Sequence, residues 1–312
     1  MLSANGYIFS EKLENLYNDV QALKPECKIF VNVDDSLIND ARVDGFQETL
    51  ENGDIKIVVR NNDIIESTIS HELLHAYFLR AGYPNHHYVY GNNNTIFSFG
   101  RDLYNHVIHK LILEEQIKRG FDVSYHQEKL AKNLGIGLNK EFTDPKDIVA
   151  FSMVILLCDV LCGKYKEIYK ERIEKTFPKS NKVAKQLYNS MMKKDYKTPY
   201  ETRDAIVRVY KKFDDILKLY KLPNLNLSEN VTITYIPKKN DMNKNVLKIF
   251  HICKKEKMNE KIKFWILISN SDNQSSYIIA TEDRTYDEIK SLLKDMTLGE
   301  LFEESNCITF IK

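Results

Sequence analysis

His71, Glu72 and His75 stand in the order H-E-x-x-H within the stretch ISHELLHAYFLRAGYP, residues 69–84. On a helix, two histidines four apart project from one face about a turn from each other, so both imidazoles can reach a single ion. Neutral imidazole nitrogens suit Zn²⁺, and a catalytic zinc keeps one position open for water. Glu72 adjoins His71 and points toward that water rather than toward the metal. A carboxylate there can take a proton as the water attacks a carbonyl, then pass it to the leaving amine. A catalytic zinc usually has three protein ligands, and no histidine occurs in the AYFLRAGYP that follows His75. The third ligand has to come from another element.

The next helical stretch, RDLYNHVIHKLILEEQIKRG (101–120), offers candidates. On a helical wheel Tyr104, Val107, Ile108 and Leu111 form the apolar face, with Asn105, His109 and Gln116 beside it. His109 therefore sits at the edge of the packed face, where a residue meeting another helix belongs. Asn105, one turn earlier, could orient its ring. His109 is the favoured third ligand; His106, Glu114, Glu115 and Asp102 are the alternatives. In the loop between the two helices, His86, His87, Tyr88 or Tyr90 could donate a hydrogen bond to a developing oxyanion.

The elements that must position these groups are legible in outline. Residues 8–23 have helical spacing, and CKIFVNV (27–33) reads as a strand. Two further strands over 45–60 are joined by a turn at Asn52-Gly53. The helix with the H-E-x-x-H pattern is expected to begin near Asp63, with Asp63 and Glu66 as a capping box, and to stop at Gly82 and Pro84. Residues 84–100 read as a polar and aromatic loop. Helices follow at about 102–119, 126–134, 145–175, 180–194 and 199–221. LPNLNLSENV (222–231) reads as a linker, and the tail as four strands and a helix. The expected architecture is α+β, in three regions: a metal-binding domain over 1–125, a helical region over 126–222 and a small α+β module over 223–312.

Composition narrows the field. The chain has 312 residues, is 43% hydrophobic and carries a net charge of +1, which suits a folded globular protein rather than a disordered one. The charge is uneven: −8 over 1–163, +9 over 164–222 and zero over 223–312. Clustered lysines in the middle region raise the possibility of a nucleic-acid surface, but no recognised DNA-binding signature accompanies them, and a solvated helical face is the plainer reading. The longest apolar run, from Ile148 to Cys162, is interrupted by Asp159 and is short for a membrane span, so a buried core helix is expected. Cys158 and Cys162, four apart in that apolar run, read as buried thiols rather than ligands. Five scattered cysteines without a CxxC pair, and no signal-like start, point to the cytoplasm.

Strand, hairpin and H-E-x-x-H helix together resemble the core of the zincin metallopeptidases. The extension that metzincins carry after the motif is absent here, so the resemblance is to gluzincin-like enzymes, in which a later helix supplies the third ligand. The short metal-binding domain is loosely similar to the ImmA/IrrE family over about residues 28–120, and the order of metal-binding domain, helical middle and β-containing tail echoes that family's architecture. The resemblance implies a zincin-like N-terminal core holding Zn²⁺ through His71, His75 and His109. It further implies Glu72 as general base and a protein or peptide as substrate.

Overall fold

A computed structural model describes residues 3–4, 6–38, 44–50, 52–62, 64–89, 94–135, 140–257, 263–281 and 284–304. The fold is mixed α and β. The chain opens with β1 (Ser3–Ala4), β2 (Tyr7–Ile8), α1 (Glu11–Leu23), β3 (Ile29–Val33), β4 (Gly45–Thr49), β5 (Ile55–Val59) and α2 (Ile65–Arg80). Then come β6 (His86–Val89), α3 (Asn94–Lys118), α4 (Ser124–Gly135), α5 (Pro145–Leu161), α6 (Lys170–Thr176), α7 (Pro178–Met191) and α8 (Pro199–Leu219). The remainder is α9 (Leu227–Asn230), β7 (Val231–Thr234), α10 (Val246–Ile249), β8 (Phe250–Lys257), β9 (Lys263–Ser269), β10 (Ser275–Thr281), α11 (Tyr286–Lys294) and α12 (Leu298–Glu304). Two compact units result, each made of two chain segments: Met1–Ala81 with Asn105–Tyr188, and Gly82–Tyr104 with Asn189–Lys312.

In the first unit β5 lies between β3, which it pairs in parallel, and β4, which it pairs antiparallel. The β4–β5 turn matches the Asn52-Gly53 expectation, with Gly53 at φ +84°. The central strand is the most buried of the three: Ile55, Ile57, Val58 and Val59 are all at 1% exposure or less. Against this sheet packs α2, which also packs on α1. Its expected capping box falls partly on a residue of which nothing is described. Asp63 lies outside the described residues, the helix begins without a side-chain cap, and Glu66 is held instead by Ser10 and by Lys12 at 2.8 Å. At its other end Arg80 is buried, donating to Val20 O (3.1 Å) and Cys27 O (2.8 Å). These bonds fasten the helix to the end of α1 and to the approach to β3. Pinned at both ends and covered on most sides, α2 is a core helix rather than a half-exposed one.

Two further expectations change. The stretch 84–100 is not all loop, since it contains β6 and the start of α3, eight residues before position 102. The helix expected over 145–175 is three pieces: α5, a 3-10 turn over Gly163–Ile168, and α6. The break falls at Gly163, whose φ of +50° lies outside the right-handed α-helical region. As expected, α5 is apolar nearly all round its buried length, and Cys158 and Cys162 are buried free thiols. No helix among the described residues is long and apolar enough to cross a membrane.

The second unit is built on a five-stranded sheet in the order β6-β7-β10-β9-β8. Alternation along β9 sends Trp265 and Leu267 to the face covered by α11 and α12, and Phe264, Ile266 and Ile268 to the other. The supposed linker 222–231 is ordered here. Asp214 on α8 accepts from the backbone N–H groups of Leu227 (2.8 Å) and Ser228 (3.0 Å), and β7 pairs with both β6 and β10.

Gly45 opens β4 where the strand crosses α2. A Cβ at this position would lie 2.7 Å from Thr68 Cγ2 and 3.1 Å from Val58 O. Gly45→Ala should therefore destabilise the protein by about 1–3 kcal/mol, read as a lowered thermal midpoint. Adding Thr68→Ser, which removes the obstructing methyl, should recover part of the loss.

Candidate metal centre

Helix α2 carries His71, Glu72 and His75, and α3 carries His109, all in the first unit. One nitrogen from each histidine lies within 4.8 Å of the others, so the cluster could hold a metal ion. Nε2 of His75 and Nε2 of His109 are 3.2 Å apart. With metal–nitrogen bonds of about 2.05 Å, two ligands of a tetrahedral ion stand roughly 3.3 Å apart and their ring centres about 5 Å apart. The observed centroid separations are 4.9 Å for His71–His75, 4.9 Å for His71–His109 and 5.1 Å for His75–His109. The donor set fits a single small cation of tetrahedral preference.

Electrostatics point the same way. Burial is the main cause lowering the His71 imidazole to about 4, with the charge of His126 adding to it. Burial also holds His75 and His109 well below the ordinary histidine value, and the neighbouring imidazoles reinforce the effect. Near neutrality all three rings are uncharged and present lone pairs. Burial alone raises the Glu72 carboxyl to about 8. A divalent cation close by opposes that shift, because it favours the charged carboxylate.

Behind the ligands stands Gln116 on α3, buried at 3% exposure. Its amide donates to Ser67 O (3.0 Å) and Ser70 Oγ (2.8 Å), and its side chain hydrogen-bonds His71. Both amide hydrogens are spent on α2, so the carbonyl oxygen is the group left to accept from the His71 ring. An acceptor on that side favours the proton on the ring nitrogen that faces it and leaves the other for a metal. The wheel had set Gln116 beside His109; the structure turns it toward His71. The support expected from Asn105 is not made, and Nδ1 of His109 is buried with no partner among the described residues.

The alternative third ligands are occupied elsewhere. His106 is buried, its Nε2 3.1 Å from Met153 O on α5, and so serves as a core histidine. Glu114 binds Lys110 at 2.6 Å, while Glu115 binds Arg119 at 2.8 Å and Lys118 at 2.9 Å. Asp102 lies in the second unit, 3.9 Å from Arg101. Of the proposed oxyanion donors, His86 packs against Phe97 and Tyr104 in the second unit. Tyr90 and the side chains of His87 and Tyr88 lie outside the described residues.

Two of the three histidines, His71 and His109, line a cavity of about 400 Å³ together with Glu72 and residues of β4, α3, α4 and α5. One polar group on its wall, His126 of α4, was not anticipated. It follows Tyr125 in SYHQEKLAKNLG, where nothing in the spacing marks it. No protein-family model matches this chain, no curated protein is similar to it in sequence, and no solved structure matches its fold.

The protein should take up one divalent transition-metal ion per chain, measured by chelator competition. At a hundredfold excess over Kd the ion should add about 2.7 kcal/mol of stability. Gln116→Met should weaken metal affinity by about 10–100-fold. His75→Ala and His109→Ala should each weaken it more. Equal affinity in the wild type and both histidine variants would remove the triad as the site.

Proposed function

We propose that the protein is a zinc-dependent peptidase of the zincin type, acting in the cytoplasm on a protein substrate. The observation that carries this reading is a cluster of three neutral imidazoles, two of which, His71 and His109, line one cavity with the buried carboxylate of Glu72 and the end of a strand whose outer edge has no partner among the described residues. His71, His75 and His109 hold the ion. When bound, it polarises the substrate carbonyl and lowers the pKa of water.

Glu72 faces the same cavity and accepts the proton of the attacking water, then returns it to the departing amine. Gln116 keeps the His71 ring in the tautomer that leaves its lone pair inward. His126 supplies an N–H donor to the carbonyl oxygen as that oxygen gains charge. The free cysteines Cys27, Cys158, Cys162 and Cys253 suit a reducing compartment.

Strand β4 supports a peptide as the substrate. Arg60 N donates to Asp44 O and Leu50 N to Asp54 O, so the ladder to β5 uses the even-numbered residues of β4. By antiparallel alternation the N–H and C=O groups of Gly45, Gln47 and Thr49 face away from β5. An extended chain adding to this edge would run past Asp44 and Gly45 into the cavity that holds Glu72.

Glu72→Gln should keep the metal and abolish peptide hydrolysis, read as cleavage in a proteome-derived peptide library. Full activity in that variant would exclude Glu72 as the base. Gln47→Pro, which deletes an outward N–H without touching the β5 ladder, should lower kcat/KM at least about tenfold at nearly unchanged thermal stability.

A further inference from the structure

We propose that a second, smaller cavity closed by α5, α6 and α7 is a binding site for a free α-amino acid, held through both its ammonium and its carboxylate. This cavity, of about 190 Å³, shares no lining residue with the one beside the metal centre. The inference stands apart from the peptidase reading and needs no metal.

Charge defines the occupant. Three ammonium groups and three carboxylates line the space. Lys170 pairs with Glu167 at 3.4 Å, and Lys185 with Glu174 at 3.1 Å. One group of each sign is left over, Asp159 on α5 and Lys166 on the 3-10 turn before α6. Neither forms an ion pair among the described residues. Asp159 Oδ1 accepts from the Tyr169 hydroxyl at 3.0 Å, and Lys166 lies over the Tyr188 ring at 5.4 Å from its centre. These two contacts orient the groups without neutralising them.

Asn181 on α7 supplies a third, independent sign of a ligand. It lines the cavity and is only 8% exposed, yet its side-chain amide has no hydrogen-bond partner among the described residues. Buried amides are nearly always paired, so this one is matched by an occupant that brings its own polar atoms.

Other ligand classes fit less well. A bare anion would meet Lys166 but also the Asp159 carboxylate, and a bare cation would meet the reverse. An apolar molecule would strip water from both charges and replace it with nothing. A zwitterion answers all three groups: its ammonium faces Asp159, and its carboxylate takes charge-assisted bonds from Lys166 and the Asn181 N–H. Burial pushes the Asp159 carboxyl up while Tyr169, Lys166 and Lys185 pull it down, and an incoming ammonium favours the charged form further. Size sets the other limit. The volume falls below the roughly 300–1,000 Å³ of usual ligand pockets, which suits one amino acid rather than a peptide. Ile155 and Ile173 complete the wall, so a short aliphatic side chain is the matching one.

The test titrates L-alanine, L-valine and L-leucine into the full chain by calorimetry, zinc-loaded and metal-free. At least one should bind one-to-one, with the same affinity in both forms. The corresponding hydroxy acid, which lacks the ammonium, and amino alcohol, which lacks the carboxylate, should each bind at least about tenfold weaker. Asp159→Asn should weaken the amino acid at least about tenfold without weakening the hydroxy acid, and Lys166→Gln should do so without weakening the amino alcohol. Both substitutions nearly preserve side-chain size, and circular dichroism checks their folding. In the wild type, saturation should shift the side-chain amide resonances of Asn181. No binding of any of the three, equal binding of the hydroxy acid or amino alcohol, or an unmoved Asn181 amide overturns the site. So does tighter binding of inorganic phosphate, and binding seen only with zinc would assign the amino acid to the metal instead.

Discussion

Three imidazoles packed ring against ring and largely out of water favour their uncharged forms. A proton on any one of His71, His75 or His109 would leave a cation short of water and pressed against two neighbours. Much of the first unit serves this constraint. Helix α2 is tied at both ends, through Glu66 to Ser10 and Lys12 and through Arg80 to two backbone carbonyls. With the helix unable to turn, His71 and His75 keep one face toward α3. Gln116 on α3 then donates its amide to Ser67 O and Ser70 Oγ on α2, tying the two helices in the register that brings His109 to His75.

The site shows where sequence reasoning reaches and where it stops. The spacing of His71, Glu72 and His75 is a local property, as is the turn at Asn52-Gly53, and both could be read directly. His109 could be reached because helix geometry separates positions on a wheel. Its rival His106, three residues earlier, points to α5 and Met153 O, a partner 47 positions away that no local pattern reveals. The contacts of Gln116 and the presence of His126 on the wall depend on how α3 and α4 pack. Side-chain type alone carries no trace of that.

The early start of α3 has the same origin. PNHHYVYGNNNTIFSFG has the composition of a loop, yet its later half is helical. What holds it lies far along the chain. Tyr210 donates to Gly100 O at 2.8 Å, Phe99 meets the ring of Phe213 at 5.2 Å, and Gly100 allows Val231 to approach so closely that a Cβ would stand 2.9 Å from its methyl. Tertiary packing decides the conformation where propensity is weak. Glu66 likewise takes a partner that no local pattern reveals, Lys12, on a helix that comes earlier in the chain.

Each unit is assembled from two separated stretches of chain, and this sets an order of events during synthesis. Strand β6 pairs with β7 through His86 and Ile233. At a ribosomal rate of about 5–20 residues per second, β6 waits roughly 7–30 s for its neighbour to be made. Over that interval the sheet's β6 edge stays open, and the helix bearing His109 is already complete while its first turns lack Phe213 and Val231. All three histidines of the cluster are therefore made before the residues whose packing fixes the upstream end of α3.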